Sequence, residues 1–364
     1  MGTFLVVSAL IAVFGVVHYF NSFLDIDRVV YNHAPGKCQK VEGPVYGSED
    51  IEVVPSLGIA FVTSGLLYLD THRKSIPGKI LAYDLNQDAK FGGLKTTEVP
   101  IKGDDFKKSD CHPHGLSHWI IGGTHLDYDA QNGVLIHKKT LRDEALVRPN
   151  DVIAIGPDEL VFTNDGAAQT VLSNVVELFS GYCYRSGSVY YTDGKKYTKL
   201  LEGKSSPNGI AYDAKTKKIF ISMIFAERIK VYDISKDRSS LKLLSSTLVN
   251  SGCDNLFVDE HGAVYSGCHP VMHQALKHLG EPENHAIKAP SHVLRLQYNA
   301  DYTKAAITEP YANDGTEISG SSAAVVFDGQ LLVGSVFRNL IHCTINGAAL
   351  SHQLNDSWQT EKLK

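Results

Sequence analysis

Seven oxygen-bearing side chains stand at the start of predicted strands in this sequence, and their types suit a hard metal ion. They are Glu49, Asp50, Asn150, Asp151, Asn208, Asp254 and Asn255. If the fold brings these positions together, their buried carboxylates repel one another unless a cation neutralises them. Calcium takes about six to eight oxygen ligands that the protein alone can supply, so it fits this set better than magnesium does.

The same residues also have an ordinary structural interpretation. Asn-Asp, Asn-Gly and Asp-Asn are common turn dipeptides, and each of them, taken alone, is typical of a turn between strands. Their recurrence at equivalent places in several repeats is what favours a metal site.

A repeating unit along the chain indicates which elements position these residues. Each unit opens with a polar residue, continues as an apolar strand, turns, and enters a second strand. The openings stand at 49–50, 114–117, 150–151, 208–209, 254–255 and near 321. This self-similarity predicts an all-β, six-bladed β-propeller, in which the innermost strand of each blade lines a central channel.

One of the predicted blades is short. His114 and Asn150, which open successive units, are 36 positions apart. Because a four-stranded blade takes roughly 40–50 residues, the blade around 114–150 is predicted to be incomplete.

Composition excludes other classes of protein. The chain has 364 residues, of which 43% are hydrophobic and 21% charged, a balance typical of a folded chain rather than a disordered one. The net charge is −5 and no long basic run occurs, so nucleic acid is not an expected partner.

The first 24 residues contain no Asp, Glu, Lys or Arg. Such a segment can span a bilayer as a helix, and it shows no clear basic start or small-residue cleavage site. We therefore expect a signal-anchor or uncleaved signal peptide at 1–24, with a buried N-terminal helix as the alternative.

A membrane or lipid surface is an expected partner. The expected location is the secretory pathway, with the chain anchored at the endoplasmic reticulum or cell surface, or secreted with its leader retained.

The six cysteines include no C-x-x-C pair, so a zinc site is not expected. In an oxidising compartment an even number of cysteines permits disulfides, but their spacing does not assign partners. Asn355 begins an Asn-Asp-Ser sequon, which predicts glycosylation if that part of the chain enters the lumen.

Several short segments resemble those of the paraoxonase family, the serum arylesterase/lactonases. The resemblance runs from about Asp25 to Cys343, and the order and number of the segments make it specific. The segments are 47–50 (GSED), 75–81 (SIPGKIL), 113–117 (PHGLS), 149–152 (PNDV), 163–165 (TND), 208–210 (NGI), 254–255 (DN), 267–270 (GCHP) and 334–337 (GSVF). It implies a six-bladed propeller domain at 25–343, followed by a tail at 344–364.

The resemblance also implies two calcium ions in the channel. The catalytic calcium would be held by Glu49, Asn150, Asn208, Asp254 and Asn255. The structural calcium would be held by Asp50, Asp151 and the backbone carbonyl of Leu116.

The same resemblance assigns two of the cysteine positions. It implies a disulfide between Cys38 and Cys343 that closes the first and last strands, and it makes Cys268 a free thiol near the site. Cys111, Cys183 and Cys253 have no partner in this scheme.

The chemistry implied by the resemblance is ester hydrolysis. Calcium would bind the ester carbonyl oxygen and stabilise the oxyanion, while His114 acts as general base on the attacking water. The substrate pocket would be lined by Leu66, Leu67, Tyr68, His269, Val336 and Phe337. For Leu66 and Val336, ordinary core packing is an equal alternative.

The sequence departs from the family pattern after His114. Family members place a second histidine on the following strand to form a dyad, but this region is shortened here. His118 is the candidate substitute, since strand alternation would put it on the same face as His114, whereas His125 looks like the start of the next strand. A shortened blade, a transcript that lacks an exon, or a function other than hydrolysis would each explain the departure.

Two functions are therefore expected candidates. The first is a calcium-dependent hydrolase of small-molecule lactones and aryl esters, with paraoxonase chemistry as a side activity. The second is a non-catalytic, membrane-anchored chaperone or assembly factor for membrane proteins such as ion channels. The calcium ligands and His114 that a hydrolase needs are all present and favour the former, whereas the uncleaved leader and the missing second histidine favour the latter.

Overall fold

The computed structural model describes residues 2–65, 78–86, 94–103, 111, 113–118, 128–168, 170, 172–173, 176–177 and 186–345. In these residues, one long helix precedes a body made almost entirely of short strands.

The N-terminal helix α1 (Gly2–Leu24) is apolar along its length. Its segment from Val6 to Leu24 is long and apolar enough to cross a bilayer, and it is not buried inside the protein. Phe4 and Phe14, for example, are 77% and 73% exposed. The alternative of a buried N-terminal helix is therefore wrong, because the body does not cover the apolar side chains of α1.

The body consists of strands rich in β-branched and aromatic residues, which pack well on a pleated surface. The first twelve are β1 (Cys38–Lys40), β2 (Ile51–Val54), β3 (Ile59–Ser64), β4 (Lys79–Asp84), β5 (Thr97–Glu98), β6 (Ile101–Lys102), β7 (Tyr128–Asp129), β8 (Val134–Ile136), β9 (Pro149–Ala154), β10 (Leu160–Asn164), β11 (Gly187–Thr192) and β12 (Tyr197–Lys204). The next eleven are β13 (Pro207–Asp213), β14 (Lys218–Met223), β15 (Arg228–Ile234), β16 (Leu241–Leu248), β17 (Gly252–Val258), β18 (Ala263–His269), β19 (Ser291–Tyr298), β20 (Ala305–Asn313), β21 (Ser321–Phe327), β22 (Gln330–Ser335) and β23 (Leu340–Thr344). A short helix, α2 (Met272–Gly280), follows β18.

The strands form sheets in sequence order. Four antiparallel sheets have four strands each and follow the chain directly: β2 to β5, β9 to β12, β13 to β16, and β17 to β20. In a fifth sheet, β21, β22 and β23 are joined by β1, so the two ends of the β-body share one sheet.

A disulfide closes this shared sheet. Cys38 of β1 lies directly opposite Cys343 of β23, and the two are bonded, as the resemblance implies. The bond joins residues 305 positions apart. A cross-link over so long a loop restricts the unfolded chain, which in the chain-entropy model stabilises the fold by roughly 5–6 kcal/mol.

The sixth sheet contains β6, β8 and β7, each two or three residues long in the described part of the chain. β6 runs parallel to β8, unlike the antiparallel pairs elsewhere. Residues 104–110 and 119–127 lie outside the described ranges, so the incomplete blade around 114–150 stays a prediction.

The core lies between successive sheets. Val62 of β3 packs in one apolar cluster with Leu332 of β22, and Phe220 of β14 packs in another with Leu294 of β19. Similar clusters join the sheet of β9 to β12 with that of β13 to β16, and the sheet of β17 to β20 with that of β21 to β23. Sheets that follow one another along the chain and pack face to face form a β-propeller.

Candidate functional site

The inner strands of the propeller contact one another around the channel in the order β2, β21, β17, β13 and β9. The segment 113–118 completes this ring between β9 and β2. Gly115 N donates to Asn150 O at 3.2 Å, and Leu116 N donates to Asp50 Oδ2 at 2.6 Å. Gly115 permits this approach, because a Cβ there would lie 2.1 Å from Asp151 Oδ1.

Three of the inner strands, β9, β13 and β17, carry a β-bulge where the predicted ligands stand. In each bulge two consecutive residues oppose a single residue of the next strand. In β9, Asn150 and Asp151 oppose Thr163. In β13, Asn208 and Gly209 oppose Ser222, and in β17, Asp254 and Asn255 oppose Gly267. A bulge bends the strand and re-aims its side chains, which is how these positions depart from simple alternation.

Three hydroxyl side chains, on β10, β14 and β21, fix predicted ligands to a neighbouring sheet. Each hydroxyl donates to the backbone carbonyl of a predicted ligand that lies in, or directly before, the inner strand of the next sheet. The bonds run from Thr163 to Asn208 at 2.7 Å, from Ser222 to Asp254 at 2.8 Å, and from Ser322 to Glu49 at 2.6 Å. The relative positions of the predicted ligands are therefore fixed across sheet boundaries.

One end of the channel opens into a cavity of about 400 Å³. Its polar floor consists of Glu49, His114, Asn150, Asn208, Asp254 and His269. Its apolar wall includes Ile224, Phe225, Met272, Leu276, Val336 and Phe337. An apolar pocket with a few convergent polar groups is the usual form of a small-molecule site.

Four residues of this floor, and Asn255 next to Asp254, each have one buried oxygen atom with no hydrogen-bond partner among the described residues. These atoms are Glu49 Oε2, Asn150 Oδ1, Asn208 Oδ1, Asp254 Oδ1 and Asn255 Oδ1. They belong to the five residues that the resemblance assigns to the catalytic calcium. Each buried acceptor left unpaired costs about 1–3 kcal/mol, so five together indicate a place for a bound cation or ordered water.

The chemistry of this donor set fits calcium. Two carboxylate oxygens and three amide oxygens are hard ligands of the kind that calcium prefers. Clusters of three or more His, Cys, Asp or Glu side chains suited to a metal do not occur in the described part of the chain. The amides therefore distinguish this site from a zinc site or another transition-metal site.

His114 lies at the edge of the floor. Its Nε2 atom is 3.3 Å from Asn150 Nδ2 and 3.4 Å from Glu49 Oε1. Burial lowers the pKa of His114, but the charge and hydrogen bond of Glu49, with more distant carboxylates, outweigh burial and raise the pKa to about 9. A cation on Glu49 would offset that charge and favour the neutral imidazole that a general base requires.

His269 is the second histidine on the floor, and its Nε2 atom lies 3.3 Å from Asp254 Oδ2. Burial raises the pKa of Asp254, although the hydrogen bond with His269 opposes this effect. The fold also brings Val336 and Phe337 to the same cavity. Three of the predicted pocket residues therefore meet here.

The other end of the channel opens into a separate cavity of about 1040 Å³, which Asp50, Leu116 and Asp151 help to line. All four carboxylate oxygens of the two aspartates accept hydrogen bonds from backbone N–H groups. Ile51 and Leu116 donate to Asp50, and Val152 and Ile210 donate to Asp151. The pKa of Asp50 is raised well above its usual range, chiefly by burial and to a smaller extent by the charge of Glu49. The pKa of Asp151 is also raised well above its usual range, chiefly by burial and to a smaller extent by the charge of Asp50. Positive charge between these aspartates would relieve this repulsion.

The structure does not bring His118 to His114. The segment 113–118 is not a strand, so the expected alternation does not apply. His118 Nδ1 lies 2.6 Å from Glu52 Oε1, and both residues line the cavity at the opposite end from His114. His118 as a substitute for the second histidine is therefore wrong.

Comparison with known families decides the relationship of the chain. The family model described as Arylesterase matches residues 30–345. The protein belongs to the arylesterase (paraoxonase) family. This match confirms the resemblance and covers both cavities and the whole described β-body.

Two relatives show how closely this arylesterase-family chain follows known members. Human serum paraoxonase/arylesterase 1 is 32% identical over 328 residues, which cover 85% of this chain and 88% of the relative. Mechanosensory abnormality protein 6 from Caenorhabditis elegans is 30% identical over 349 residues, which cover 88% of this chain and 90% of the relative.

A solved structure supports the fold. A luciferin-regenerating enzyme superposes with a TM-score of 0.51, covering 86% of this chain and 96% of that enzyme at 14% sequence identity. At this identity the likeness concerns the fold alone. The predicted all-β propeller is confirmed, and its number of blades stays a prediction.

Sequence reasoning missed an ionic cluster in the wall of the 400 Å³ cavity. Arg148 is bonded to Asp165 and lies 2.8 Å from Glu177. Ala167 N donates to Glu177 Oε1 at 2.9 Å, and a side chain at Gly166 would collide with the guanidinium. The only signal in the sequence was the segment 163–165 (TND), which carried no assigned role.

The cysteine assignment needs one correction. Cys268 is bonded to Cys253, so the predicted free thiol is wrong. The reason is register: Cys253 of β17 lies directly opposite Cys268 of β18, and both are buried. Adjacent antiparallel strands bring such facing side chains within bonding reach.

Some predicted residues lie outside the described residues. These are Leu66, Leu67 and Tyr68 of the predicted pocket, His125, Cys183, and the sequon residue Asn355. Their assignments stay predictions.

Proposed function

We propose that this arylesterase-family protein is a calcium-dependent hydrolase of lactones and aryl esters. The observation that carries the proposal is a group of five unpaired oxygens, four of them on residues that line the floor of an apolar cavity together with His114. Family membership supports hydrolase chemistry, and the cavity supports a small-molecule substrate.

Glu49, Asn150, Asn208, Asp254 and Asn255 would hold the catalytic ion. When bound, calcium supplies a Lewis acid that polarises the ester carbonyl and stabilises negative charge on its oxygen. Asn255 orients this set, because its amide nitrogen donates to Glu49 O at 2.8 Å and to Glu49 Oε1 at 2.9 Å. Its own Oδ1 and the Glu49 Oε2 remain available for the ion.

His114 is the proposed general base. Its side chain is 26% exposed, so a water molecule can reach Nε2 from the cavity. Nε2 takes a proton from that water as the water oxygen adds to the carbonyl carbon, and it returns the proton to the leaving oxygen. No described residue stands in the position of a second histidine beside it, so we propose that His114 acts without one.

The cavity wall selects the substrate. Apolar side chains, among them Phe225, Met272 and Phe337, surround the floor, and the carboxylates of Asp165 and Glu177 outnumber the single guanidinium of Arg148. Neutral esters and lactones with an apolar acyl or aryl group fit this lining, whereas anionic esters are repelled.

Asp50, Asp151 and Leu116 are the proposed holders of a second, structural calcium. The two aspartates are buried, and the charge of Asp50 adds to the burial that raises the pKa of Asp151. A cation there would neutralise them and hold β2, β9 and the segment 113–118 together. The role is structural, because these residues line the cavity opposite to His114.

A lipid surface is the proposed partner of α1. The end of this helix is attached to the body: His273 Nδ1 lies 2.8 Å from Leu24 O, and the rings of Phe23 and Phe225 are 5.9 Å apart. Phe225 also lines the cavity. An α1 helix inserted in a membrane of the secretory pathway would therefore hold the cavity close to the lipid.

A non-catalytic role is the second candidate. The Caenorhabditis elegans relative is named a mechanosensory protein, and α1 is exposed and apolar as a membrane anchor requires. Under this alternative, the protein is a chaperone or assembly factor for membrane proteins, and calcium only stabilises the propeller. A folded, calcium-loaded protein without esterase turnover would favour it.

The test of the proposed function is the hydrolysis of a lactone panel and phenyl acetate by the purified protein, in calcium and in chelator. Turnover that calcium restores supports the hydrolase. Absence of turnover, in protein whose melting temperature still rises with calcium, contradicts it.

A further inference from the structure

The disulfide between Cys253 and Cys268 lies at the edge of the proposed calcium site. The two cysteines are 1% and 0% exposed, so the bond belongs to the interior. Cys253 directly precedes Asp254, and Cys268 directly precedes His269, and both of these neighbours lie on the cavity floor. The cross-link therefore joins the two strands that supply one side of the floor.

The bond also lies at the boundary of the β17 bulge. Cys253 and Cys268 form the last regular pair before the bulge, and Leu256 and Ser266 form the next one. Between these pairs, Asp254 and Asn255 oppose the single residue Gly267. Beyond the bulge, Ser266 Oγ donates to Asn255 O at 2.9 Å. The bulge is thus held by a covalent bond on one side and a hydrogen bond on the other.

The other two bulges have a constrained residue in the corresponding place. Pro149 precedes the pair at 150–151 in β9, and Pro207 precedes the pair at 208–209 in β13. A proline ring fixes the φ angle of its residue and so restricts the backbone that leads into the bulge. In β17 the same place is taken by a cysteine whose side chain is covalently fixed to the next strand.

We propose that the Cys253–Cys268 disulfide is a positioning element of the calcium site. It fixes the register at which the β17 bulge begins, so that the oxygens of both Asp254 and Asn255 reach the floor. Without the bond the bulge can shift, and a slip of one residue turns side chains toward the opposite face. The inference rests on the proposed calcium site and adds to it a pair of residues that bind no ion themselves.

The first test compares calcium affinity in variants of the full chain. The affinity is obtained from the rise in melting temperature during a calcium titration, which requires no substrate. In the variant Cys253→Val with Cys268→Ala, the apparent Kd for calcium should rise about 10–100-fold, as for other losses of support around metal ligands.

The matched control removes the disulfide between Cys38 and Cys343. The variant Cys38→Ala with Cys343→Ala loses the bond between β1 and β23, the two strands of their sheet that lie farthest from its inner strand β21. It should melt at a lower temperature in chelator, while its apparent Kd for calcium stays within about twofold of the wild type because its ligands are unmoved. The two variants thus separate positioning from general stability.

A second test uses the wild-type protein and does not depend on how a variant folds. Dithiothreitol transfers two electrons and two protons to the disulfide, the S–S bond breaks to give two thiols, and the reagent becomes a cyclic disulfide. Thermodynamic linkage is reciprocal. If the disulfide lowers the Kd for calcium by some factor, saturating calcium should lower the equilibrium constant for reduction of Cys253–Cys268 by the same factor. Alkylation with iodoacetamide and peptide mass spectrometry would report each disulfide separately, and Cys38–Cys343 should not respond to calcium.

The outcomes distinguish the inference from the function on which it rests. An unchanged calcium affinity in the folded Cys253/Cys268 variant, or a reduction of this bond that calcium does not affect, overturns the inference and leaves the calcium site in place. A wild-type protein with no calcium-dependent rise in melting temperature overturns the site and the inference together.

Discussion

Asn255 donates its side-chain amide to two oxygens of Glu49, the backbone carbonyl at 2.8 Å and the carboxylate Oε1 at 2.9 Å. These residues are 206 positions apart: Glu49 stands two residues before β2, and Asn255 lies in β17. The paired bonds orient both side chains, so that Asn255 Oδ1 and Glu49 Oε2 are left buried without partners. Contacts within the protein therefore hold these two oxygens in a fixed arrangement.

Glu49→Gln should have opposite effects on the protein without and with calcium. In chelator, the new amide removes one buried charge and can donate to a neighbouring unpaired oxygen, which should stabilise the fold by about 1–3 kcal/mol. In calcium, the variant should lose most of the rise in melting temperature, because a charged ligand is gone. Thermal unfolding in chelator and over a calcium titration measures both effects.

The matched control is Glu202→Gln, since Glu202 is exposed and pairs only with Lys199 in the described structure. It should leave both melting temperatures unchanged. If Glu49→Gln lowered stability in chelator and kept the full response to calcium, the unpaired oxygens would not form the cation site.

His114→Gln should lower kcat for phenyl acetate and lactones by about 10²–10⁴-fold, the usual contribution of a general base. The calcium-dependent rise in melting temperature should persist, because His114 is not among the proposed ligands. Steady-state kinetics with the calcium titration separate the two properties. His118→Gln is the control, and a comparable loss of turnover in that variant would contradict the separation of the two histidines into different cavities.

Glu227 should make stability depend on pH. Burial, and then the charge of Asp25, raise the pKa of Glu227 to about 7 in the folded protein, from an ordinary value of 4.5. Between these two values the folded state binds more protons than the unfolded chain. The contribution of Glu227 to stability is therefore complete below about pH 4.5 and is lost as the pH rises through about 7.

Glu227→Gln removes this dependence. Because the side chain is partly exposed, we expect a gain of only about 1–2 kcal/mol at pH 8 relative to the wild type, and little difference at pH 4.5. Denaturant unfolding at both pH values gives the comparison. Equal differences at the two pH values would show that the carboxyl group is not perturbed.

Helix α1 should attach the protein to lipid. The full chain should float with phosphatidylcholine vesicles, and Ile11→Asp with Phe14→Asp should abolish flotation, because each charge at the centre of a span costs about 2.5–3.5 kcal/mol. Leu243→Asp is the control, since Leu243 is 49% exposed on β16 and lies far along the chain from α1. Flotation of the double variant at the wild-type level would contradict membrane attachment through α1.

Much of the fold and of the candidate site could be predicted because both repeat along the chain. Recurring openings such as those at Asn208 and Asp254 indicated inner strands, and inner strands of a propeller converge on one channel. The oxygen-rich composition of those openings then indicated the type of ion. The family resemblance added the role of His114 and the disulfide between Cys38 and Cys343.

The remainder depends on register and on contacts between distant segments. Cys253 and Cys268 are 15 positions apart, a spacing that fits many hairpins, and only the register of β17 against β18 shows that they face one another. The prediction for His118 assumed a strand where the chain is irregular. Arg148 precedes β9 and Glu177 follows β10, and no local pattern encodes their contact.

The measurement that tests the central claim most directly is turnover of phenyl acetate and a lactone panel by one purified preparation, first stripped with chelator and then resupplied with calcium. The account predicts no turnover in chelator, recovery on adding calcium, and no recovery in His114→Gln although calcium still raises its melting temperature. Turnover that persists in chelator, or a calcium-stabilised wild-type protein that hydrolyses none of these substrates, would contradict it.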